Sequence, residues 1–359
     1  PGAALAVSAA AIVWMRSRGG APVGLRGGPL SSLLFLAAAA ILVGLALRGR
    51  LPARTVVAVA VVLAAADLLS AVSRLFPYAS PAEIFPPAPT LSFLARDSEP
   101  HRVVAVDRTY GAGFELAYGL DSPIGFNVVD ARTERVLGVL GYDTSSPGLT
   151  SEAILRTKGR LLDLMNVRYL VTTTWNRSAA ALASEPERFR LAFEDASVRV
   201  FENRTVLPRV FLVPASGVEV LPADIAQFQR IRSSDFDPAR AVVLSEPLPE
   251  FFANGAAAVM PPAVTGLVQG VNDVRLAAAV AEPSVLVLSQ THYPGWRVFV
   301  DDRPRPLLRA DYAFAGVALA PGRHTVRFVL EPNSLRIGAL ITCASLAAMV
   351  ALCRVRTSR

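Results

Sequence analysis

Residues 286–330 read LVLSQTHYPGWRVFVDDRPRPLLRADYAFAGVALAPGRHTVRFVL, and this stretch decides the fold that we predict for the C-terminal part of the chain. Short runs of alternating apolar and polar residues are separated by Pro, Gly and Asp, as in antiparallel strands joined by tight turns. Asp301-Asp302 and Pro321-Gly322 are each predicted to close a β-hairpin. Short strands at this spacing are typical of a β-sandwich, which we place at residues 241–335.

The region before the sandwich is predicted to mix helices and strands. A Pro-rich linker at residues 77–89 cannot form a regular helix. It leads into a mixed α/β lobe at residues 90–240. Within this lobe, residues 151–165 have the pattern of an amphipathic helix, and residues 166–171 (NVRYLV) have that of a strand.

Apolar blocks on both sides of this region predict membrane helices. Mean hydropathy is +0.42, yet 18% of the residues are charged, a combination that favours a membrane protein with a large polar part. A spanning helix needs about 20 mostly apolar residues. Four blocks approach that length: residues 3–15 (a truncated span), 30–47, 56–72 and 337–353. The predicted fold class is therefore membrane α-helical spans plus an α+β extracytoplasmic region that ends in a β-sandwich; buried helices of a globular protein are the alternative.

Arginine placement predicts the orientation of these spans, because short cytoplasmic loops carry an excess of positive charge. One arginine group lies between the second and third spans, and another forms the tail at residues 354–359, which we place in the cytoplasm. The central region is then extracytoplasmic, and the protein is placed in a bacterial cytoplasmic (inner) membrane. Three arginines in the preceding loop argue the other way. The three groups are Arg48, Arg50 and Arg54; Arg354, Arg356 and Arg359; and Arg16, Arg18 and Arg26.

Composition excludes several classes of function. The net charge of +7 comes from arginine, since Lys158 is the only lysine, and no basic run with interleaved aromatics favours nucleic acid. Cys343 and Cys353, both in the last apolar block, have no metal-ligand spacing, and three scattered histidines predict no metal site. The chain opens at Pro1 inside an apolar run, so we expect it to be the C-terminal fragment of a longer protein.

Several short motifs resemble the C-terminal part of bacterial YfhO-type membrane proteins, which are relatives of the GT-C glycosyltransferases. They are YPGW, VDD, RADYAF and PGRHTV within residues 286–330, and NVRYLV at residues 166–171. Residues 118–121 (YGLD) and 141–143 (GYD) resemble two halves of a family element, here with a longer spacer. The resemblance implies a polyprenyl-phosphate-linked sugar donor and an envelope glycan or lipid acceptor. It also implies a catalytic acid in an earlier part of the protein, so no catalytic residue is named in this chain.

Three aspartates are candidate functional residues. Asp67 is the one ionisable residue within the apolar block 56–72, where a charge is costly and is usually paired or functional. It either packs between helices or lines a cavity for a lipid-linked sugar. Asp121 and Asp143 could form a carboxylate pair, although an Asp beside Gly or Ser is more often a turn residue.

Aromatic residues cluster in the predicted sandwich, and exposed aromatic faces can stack on sugar rings. The candidates for glycan binding are His292, Tyr293, Trp296 and Tyr312. Large aromatics also dominate sandwich cores, which is the alternative for Trp296. Tyr293 and Tyr312 lie beside turns and are the better candidates for the surface.

Two functions from different classes follow. The chain is either the acceptor-binding or glycan-binding part of a YfhO-type glycosyltransferase, with lipid-linked sugar and membrane lipid as partners, or a non-catalytic, membrane-anchored glycan-binding or envelope-assembly module. A transporter is a third possibility, which is less favoured because the apolar blocks carry a single charge.

Overall fold

The computed structural model describes residues 28–75, 85–110, 114–124, 130–143, 148–158, 160–248 and 261–357. The chain divides into a unit up to Pro86 and a second unit from Pro87 to Arg359. In the first unit, helices α1 (Gly28–Leu47) and α2 (Ala53–Leu75) contact each other. Most of the predicted linker at residues 77–89 lies outside the described residues.

The prediction of membrane helices is wrong. Among the residues that the structure describes, no helix is both long and apolar enough to cross a membrane. Block 3–15 lies outside the described residues. Blocks 30–47, 56–72 and 337–353 lie within helices that the structure describes, and none of these helices meets both requirements of a membrane span. This finding corrects the predicted fold class, the multi-pass topology and the inner-membrane location.

The second unit is an α+β structure rich in sheets. Its described helices are α3 (Pro89–Leu94), α4 (Ala131–Val139), α5 (Ser151–Arg156), α6 (Arg160–Leu164), α7 (Arg177–Ala183), α8 (Asp224–Arg232) and α9 (Asn333–Thr357). Its described strands are β1 (Arg102–Ala105), β2 (Val167–Thr173), β3 (Phe189–Glu194), β4 (Val198–Asn203), β5 (Val210–Pro214), β6 (Val218–Val220), β7 (Val242–Leu244), β8 (Ala263–Gln269), β9 (Asp273–Val280), β10 (Ser284–Thr291), β11 (Trp296–Val300), β12 (Arg303–Arg305), β13 (Leu308–Ala310), β14 (Phe314–Leu319) and β15 (Gly322–Leu330).

The strands form three sheets. The four-stranded sheet has the order β1-β2-β4-β3, with β1 and β2 parallel and the other pairs antiparallel. The six-stranded sheet has the order β5-β10-β14-β13-β7-β6, in which only the β6–β7 pair is parallel among the described strands. The five-stranded sheet has the order β12-β11-β15-β9-β8 and is antiparallel throughout. Strand β5, from the predicted mixed lobe, thus pairs with β10 of the predicted sandwich.

The five-stranded sheet packs against one face of the six-stranded sheet. Alternate residues of β9, β11 and β15 meet alternate residues of β10 and β14, as the two-residue period of a strand requires. This outer core includes Leu276, Val298, Phe328, Leu286 and Val317. The arrangement is a β-sandwich whose inner layer is itself covered on its other face.

The other face of the six-stranded sheet carries the inner core. Strand β10 supplies Leu286 and Leu288 to the outer core, and Val285 and Val287 to the inner core. The inner core also takes side chains from α4 to α8 and from one face of the four-stranded sheet. Because β10 is buried on both faces, it reads as a continuous apolar run rather than as an alternating one.

The second face of the four-stranded sheet carries a third, smaller core. Val103, Tyr169 and Val200 pack there against Leu94 of α3 and against Leu120. Because Leu94 and Leu120 both belong to this third core, the loop that follows α3 lies beside the segment that precedes Asp121. The third core therefore positions the walls of a cavity in the second unit.

Two predicted hairpin turns have different outcomes. Asp301 and Asp302 join β11 to β12 with φ angles of 52° and 60°, as a two-residue hairpin turn requires, so this prediction is confirmed. The Pro321-Gly322 turn is not a hairpin, because β14 lies in the six-stranded sheet and β15 in the five-stranded sheet. It carries the chain from one layer of the sandwich to the other.

Candidate functional site

The second unit contains a cavity of about 670 Å³ where elements from all three sheets meet. Its walls are the loop after α3, the segment that leads to Asp121, Arg209 at the start of β5, and the turn between β8 and β9. The lining residues are Leu94, Ala95, Asp97, Ser98, Glu99, Pro100, His101, Leu116, Tyr118, Gly119, Leu120, Asp121, Arg209, Gln269, Gly270 and Val271. A volume of this size is in the usual range for a small-molecule site.

Local sequence chemistry explains how the Asp121 wall forms. A 3-10 turn at Glu115–Tyr118 ends at Gly119, whose φ of 71° is left-handed and favours glycine. The chain then turns back so that the carbonyl oxygen of Asp121 accepts a hydrogen bond of 2.9 Å from the backbone N–H of Val103. Asp121 is thereby tied to β1, with its carboxylate facing the cavity.

Asp97 organises the acidic part of the lining. Its Oδ2 accepts a hydrogen bond of 3.1 Å from the Tyr169 hydroxyl and lies 3.1 Å from Nη1 of Arg168. The same arginine donates to Glu99 at 2.8 Å. Burial, and then the negative charge of Asp97, raise the pKa of Tyr169 to about 12. The phenol therefore stays protonated and acts as a fixed hydrogen-bond donor.

Two buried arginines make the basic part of the site. Nη2 of Arg209 lies 3.0 Å from Oδ2 of Asp121, and Nε of Arg102 lies 3.4 Å from the same oxygen. Arg102 is 7% exposed and Arg209 is 3% exposed, whereas the Asp121 side chain is 36% exposed. Burial, followed by repulsion from Arg102, lowers the pKa of Arg209, and a guanidinium nevertheless stays charged at neutral pH.

An aromatic rim borders the cavity. Tyr118 lines it and contacts the Phe114 ring, which is 41% exposed, at a centroid distance of 5.1 Å. Phe114 in turn lies 5.5 Å from the ring of Tyr110. Burial, together with the nearby Glu115 carboxylate, raises the pKa of Tyr110 well above its ordinary value. The rim thus offers apolar ring surface directly beside charged groups.

This combination suits a polar organic ligand with an apolar face. Carboxylates accept hydrogen bonds, guanidinium groups donate them, and the Gln269 amide can do both. Aromatic rings supply apolar contact area beside them. Within the described ranges, no group of three or more His, Cys, Asp or Glu side chains is placed to hold a metal ion.

The predicted glycan-binding residues fall into different environments. Tyr293 is 54% exposed, and His292 and Trp296 are half-buried, with Trp296 packed against the outer core. Tyr312 was expected at the surface, but it is completely buried and accepts a hydrogen bond of 2.9 Å from Arg135. Its φ of 72°, after 46° at Asp311, turns the ring inward against Phe228. The structure therefore does not bring Tyr312 to a shared surface with Tyr293.

The predicted acidic residues are also separated. Asp121 lines the cavity, whereas Asp143 is exposed and does not occur among the described lining residues. Asp67 lies on α2 in the other unit and is exposed. The pair Asp121–Asp143 is thus not assembled at this cavity.

Sequence analysis did not identify the two buried arginines. Both stand at the head of an apolar strand, in the strings RVVA at residue 102 and RVFLV at residue 209. An arginine at the start of a buried strand is itself buried, because the strand that follows it packs in the core. This placement was a usable signal for a buried charge, but it could not show that the two side chains converge on Asp121.

Comparisons of the chain with protein-family models, with curated proteins and with solved structures found no match. The resemblance to YfhO-type proteins therefore stays a prediction, and the function is argued from the cavity itself.

Proposed function

We propose that the second unit is a saccharide-binding module and that the cavity beside Asp121 holds a sugar. The observation that carries this proposal is the juxtaposition of the Tyr118 rim with the polar lining of Asp97, Asp121 and Arg209. A pyranose has an apolar face that fits an aromatic ring, and hydroxyl groups that pair with planar charged side chains. The same lining would serve acidic or neutral sugars.

The test is calorimetric titration of the full chain with a panel of monosaccharides and short oligosaccharides. Tyr118→Ala removes the aromatic surface and is expected to weaken binding about tenfold or more, since stacking and area loss cost on the order of 1.5 kcal/mol. Tyr118→Phe keeps the ring and should keep most of the affinity. Thermal unfolding of each variant shows whether the fold is retained.

Tyr293→Ala is the matched control, because this exposed tyrosine does not occur among the described lining residues of the cavity. Its affinity should equal that of the unmodified chain. Loss of binding in Tyr293→Ala, with none in Tyr118→Ala, would move the site to the predicted aromatic cluster at residues 292–296. Absence of binding to every saccharide in the panel would contradict the proposal.

A glycosyltransferase-like role is a second candidate. The observation in its favour is that residues 118–121, which resemble half of a YfhO-type element, line this cavity. The resemblance implies a polyprenyl-phosphate-linked sugar as donor and an envelope glycan or lipid as acceptor. Incubation of the chain with such a donor is expected to give no transfer, because no catalytic residue is assigned in it. Turnover that Asp121→Asn abolishes would establish the enzyme instead.

A further inference from the structure

The two positive charges of Arg102 and Arg209 face a single carboxylate. Arg102 and Arg209 both point to one carboxylate, Asp121, which is itself partly exposed. Their other hydrogen-bond partners among the described residues are neutral. Arg102 donates to the Met165 carbonyl at 3.0 Å and to the Ser289 hydroxyl at 3.3 Å, and Arg209 donates to the Gln290 amide oxygen at 2.9 Å. Among the described residues, one of these two buried positive charges therefore has no carboxylate of its own within ion-pair distance.

Two donor groups of Arg209 also lack a partner. Its Nε and Nη1 are buried and have no hydrogen-bond partner among the described residues. A buried charge with unmet hydrogen bonds is costly, by several kcal/mol for an ion without full compensation. Arg209 lines the cavity, so a ligand can approach it from that side.

The other two carboxylates of the lining are engaged elsewhere. Asp97 lies 3.1 Å and Glu99 2.8 Å from Nη1 of Arg168, and Asp97 also accepts the Tyr169 hydroxyl. The lining is thus divided into an acidic part that is bound to Arg168 and a basic part at Arg209. A ligand that carries both hydroxyl groups and an anionic group would match both parts.

We propose that the ligand of this cavity carries an oxyanion, a carboxylate or a phosphate, that binds to Arg209. This proposal deepens the proposed function, on which it rests, by naming the substrate class as acidic saccharides, either hexuronates or sugar phosphates. An oxyanion accepts charge-assisted hydrogen bonds from the Arg209 guanidinium and supplies the missing negative charge. The lowered pKa of Arg209 is the expected signature of a guanidinium that lacks such a partner.

The experiment compares matched ligands on the full chain by calorimetry. Hexuronates such as glucuronate and galacturonate are titrated beside their parent hexoses, with glucose 6-phosphate and inorganic phosphate as further probes. The acid is expected to bind at least tenfold more tightly than its neutral parent. Arg209→Gln should abolish this difference, because affinity for the acid should fall at least tenfold more than affinity for the neutral hexose.

Arg323→Gln is the matched control for the change in net charge. Arg323 is exposed and pairs with Ala279, six residues along β9 from Asp273, so it lies about 20 Å from the β8–β9 turn at roughly 3.4 Å per residue. Its preference for the acid should be unchanged. If Arg209→Gln does not fold, Asp121→Asn tests the same idea, since loss of the competing carboxylate should raise the ratio of acid affinity to hexose affinity.

The outcomes separate the two proposals. Equal binding of the acid and the hexose would overturn the oxyanion site and leave the saccharide module standing. Binding of inorganic phosphate that depends on Arg209, without binding of any sugar, would support the oxyanion site and contradict the saccharide module. A preference for acids that survives in Arg209→Gln and is unchanged in Asp121→Asn would also overturn the oxyanion site.

Discussion

At the level of single residues, burial shifts the pKa of an ionisable group that has no opposite charge beside it. Asp311 is completely buried in the turn between β13 and β14. Its Oδ1 accepts a hydrogen bond of 2.9 Å from the backbone N–H of Val243, and its Oδ2 has no hydrogen-bond partner among the described residues. Burial, with a smaller contribution from the Glu219 charge, raises the pKa of Asp311 to about 7.

Asp311→Asn is predicted to stabilise the protein above pH 7. Between pH 4 and 7 the folded state holds a proton on Asp311 that the unfolded state has lost, so stability of the unmodified chain falls as pH rises through this window. Asparagine keeps the acceptor for Val243, tolerates the φ of 46°, and carries no charge.

The measurement is chemical unfolding of both proteins at pH 4, 6 and 8. The difference in free energy of unfolding should be near zero at pH 4 and on the order of 2–4 kcal/mol in favour of Asp311→Asn at pH 8. A constant difference across this range would show that Asp311 titrates at an ordinary pKa.

The same residue scale explains why Tyr312 was misplaced by sequence analysis. Its position beside a turn favours exposure, but two consecutive left-handed residues, Asp311 and Tyr312, reverse the direction of the side chain. Local sequence indicates a turn here without indicating its conformation. The proximity of Arg102 and Arg209 could not be predicted from local sequence for a different reason. The two residues belong to strands that are distant in sequence and meet only in the folded chain.

At the scale of elements, close backbone approaches constrain the turns between strands. Gly217 ends the 3-10 turn Ala215–Gly217 that joins β5 to β6. A Cβ atom there would overlap the backbone carbonyl oxygen of Arg240 and would also crowd a Val213 methyl group. Gly138, in α4, has open space where its Cβ would lie.

Gly217→Ala is predicted to destabilise the fold by roughly 3 kcal/mol, because the obstructing atom is backbone and cannot rotate away. Gly138→Ala is the matched control and should stabilise the fold by about 0.5–1 kcal/mol, as alanine restricts the unfolded chain and favours helix. Midpoints of urea unfolding give both values. A neutral Gly217→Ala would mean that the β5–β6 connection is looser than the structure describes.

The two predicted hairpin turns show which features of an element can be predicted from sequence patterns. The Asp301-Asp302 turn was predictable because its chemistry is contained in the turn itself. The Pro321-Gly322 turn looked the same in sequence, but β14 and β15 join different sheets. Periodicity identifies strands and cannot assign them to layers, since that assignment depends on pairing with remote strands such as β5 and β9. The apolar blocks were predicted as membrane spans from their composition, and no helix among the described residues is both long and apolar enough to be one.

At the scale of the whole second unit, the six-stranded sheet couples the cores on its two faces. Adjacent residues of β10 belong to the inner and the outer core in turn. If either core unfolded, β10 would lose the packing on one of its faces, and the other core would lose part of its support. We therefore expect the second unit to unfold as one cooperative body rather than sheet by sheet.

Phe328→Ala is predicted to test this coupling. Phe328 is fully buried in the outer core, and its truncation should cost about 4 kcal/mol. Unfolding should remain a single transition whether followed by circular dichroism or by tryptophan fluorescence. Val268→Ala, at an exposed position of β8, is the control and should change stability by less than about 0.5 kcal/mol. Two separated transitions in Phe328→Ala would show that the sandwich and the inner core are independent.

A crystal structure of the full chain soaked with a hexuronate would show whether the cavity binds an acidic saccharide through Arg209. We expect a sugar ring against Tyr118, with its carboxylate within hydrogen-bond distance, about 2.7–3.2 Å, of Arg209. An empty cavity at a ligand concentration that calorimetry shows to be saturating, or a sugar bound instead beside Tyr293, would contradict it.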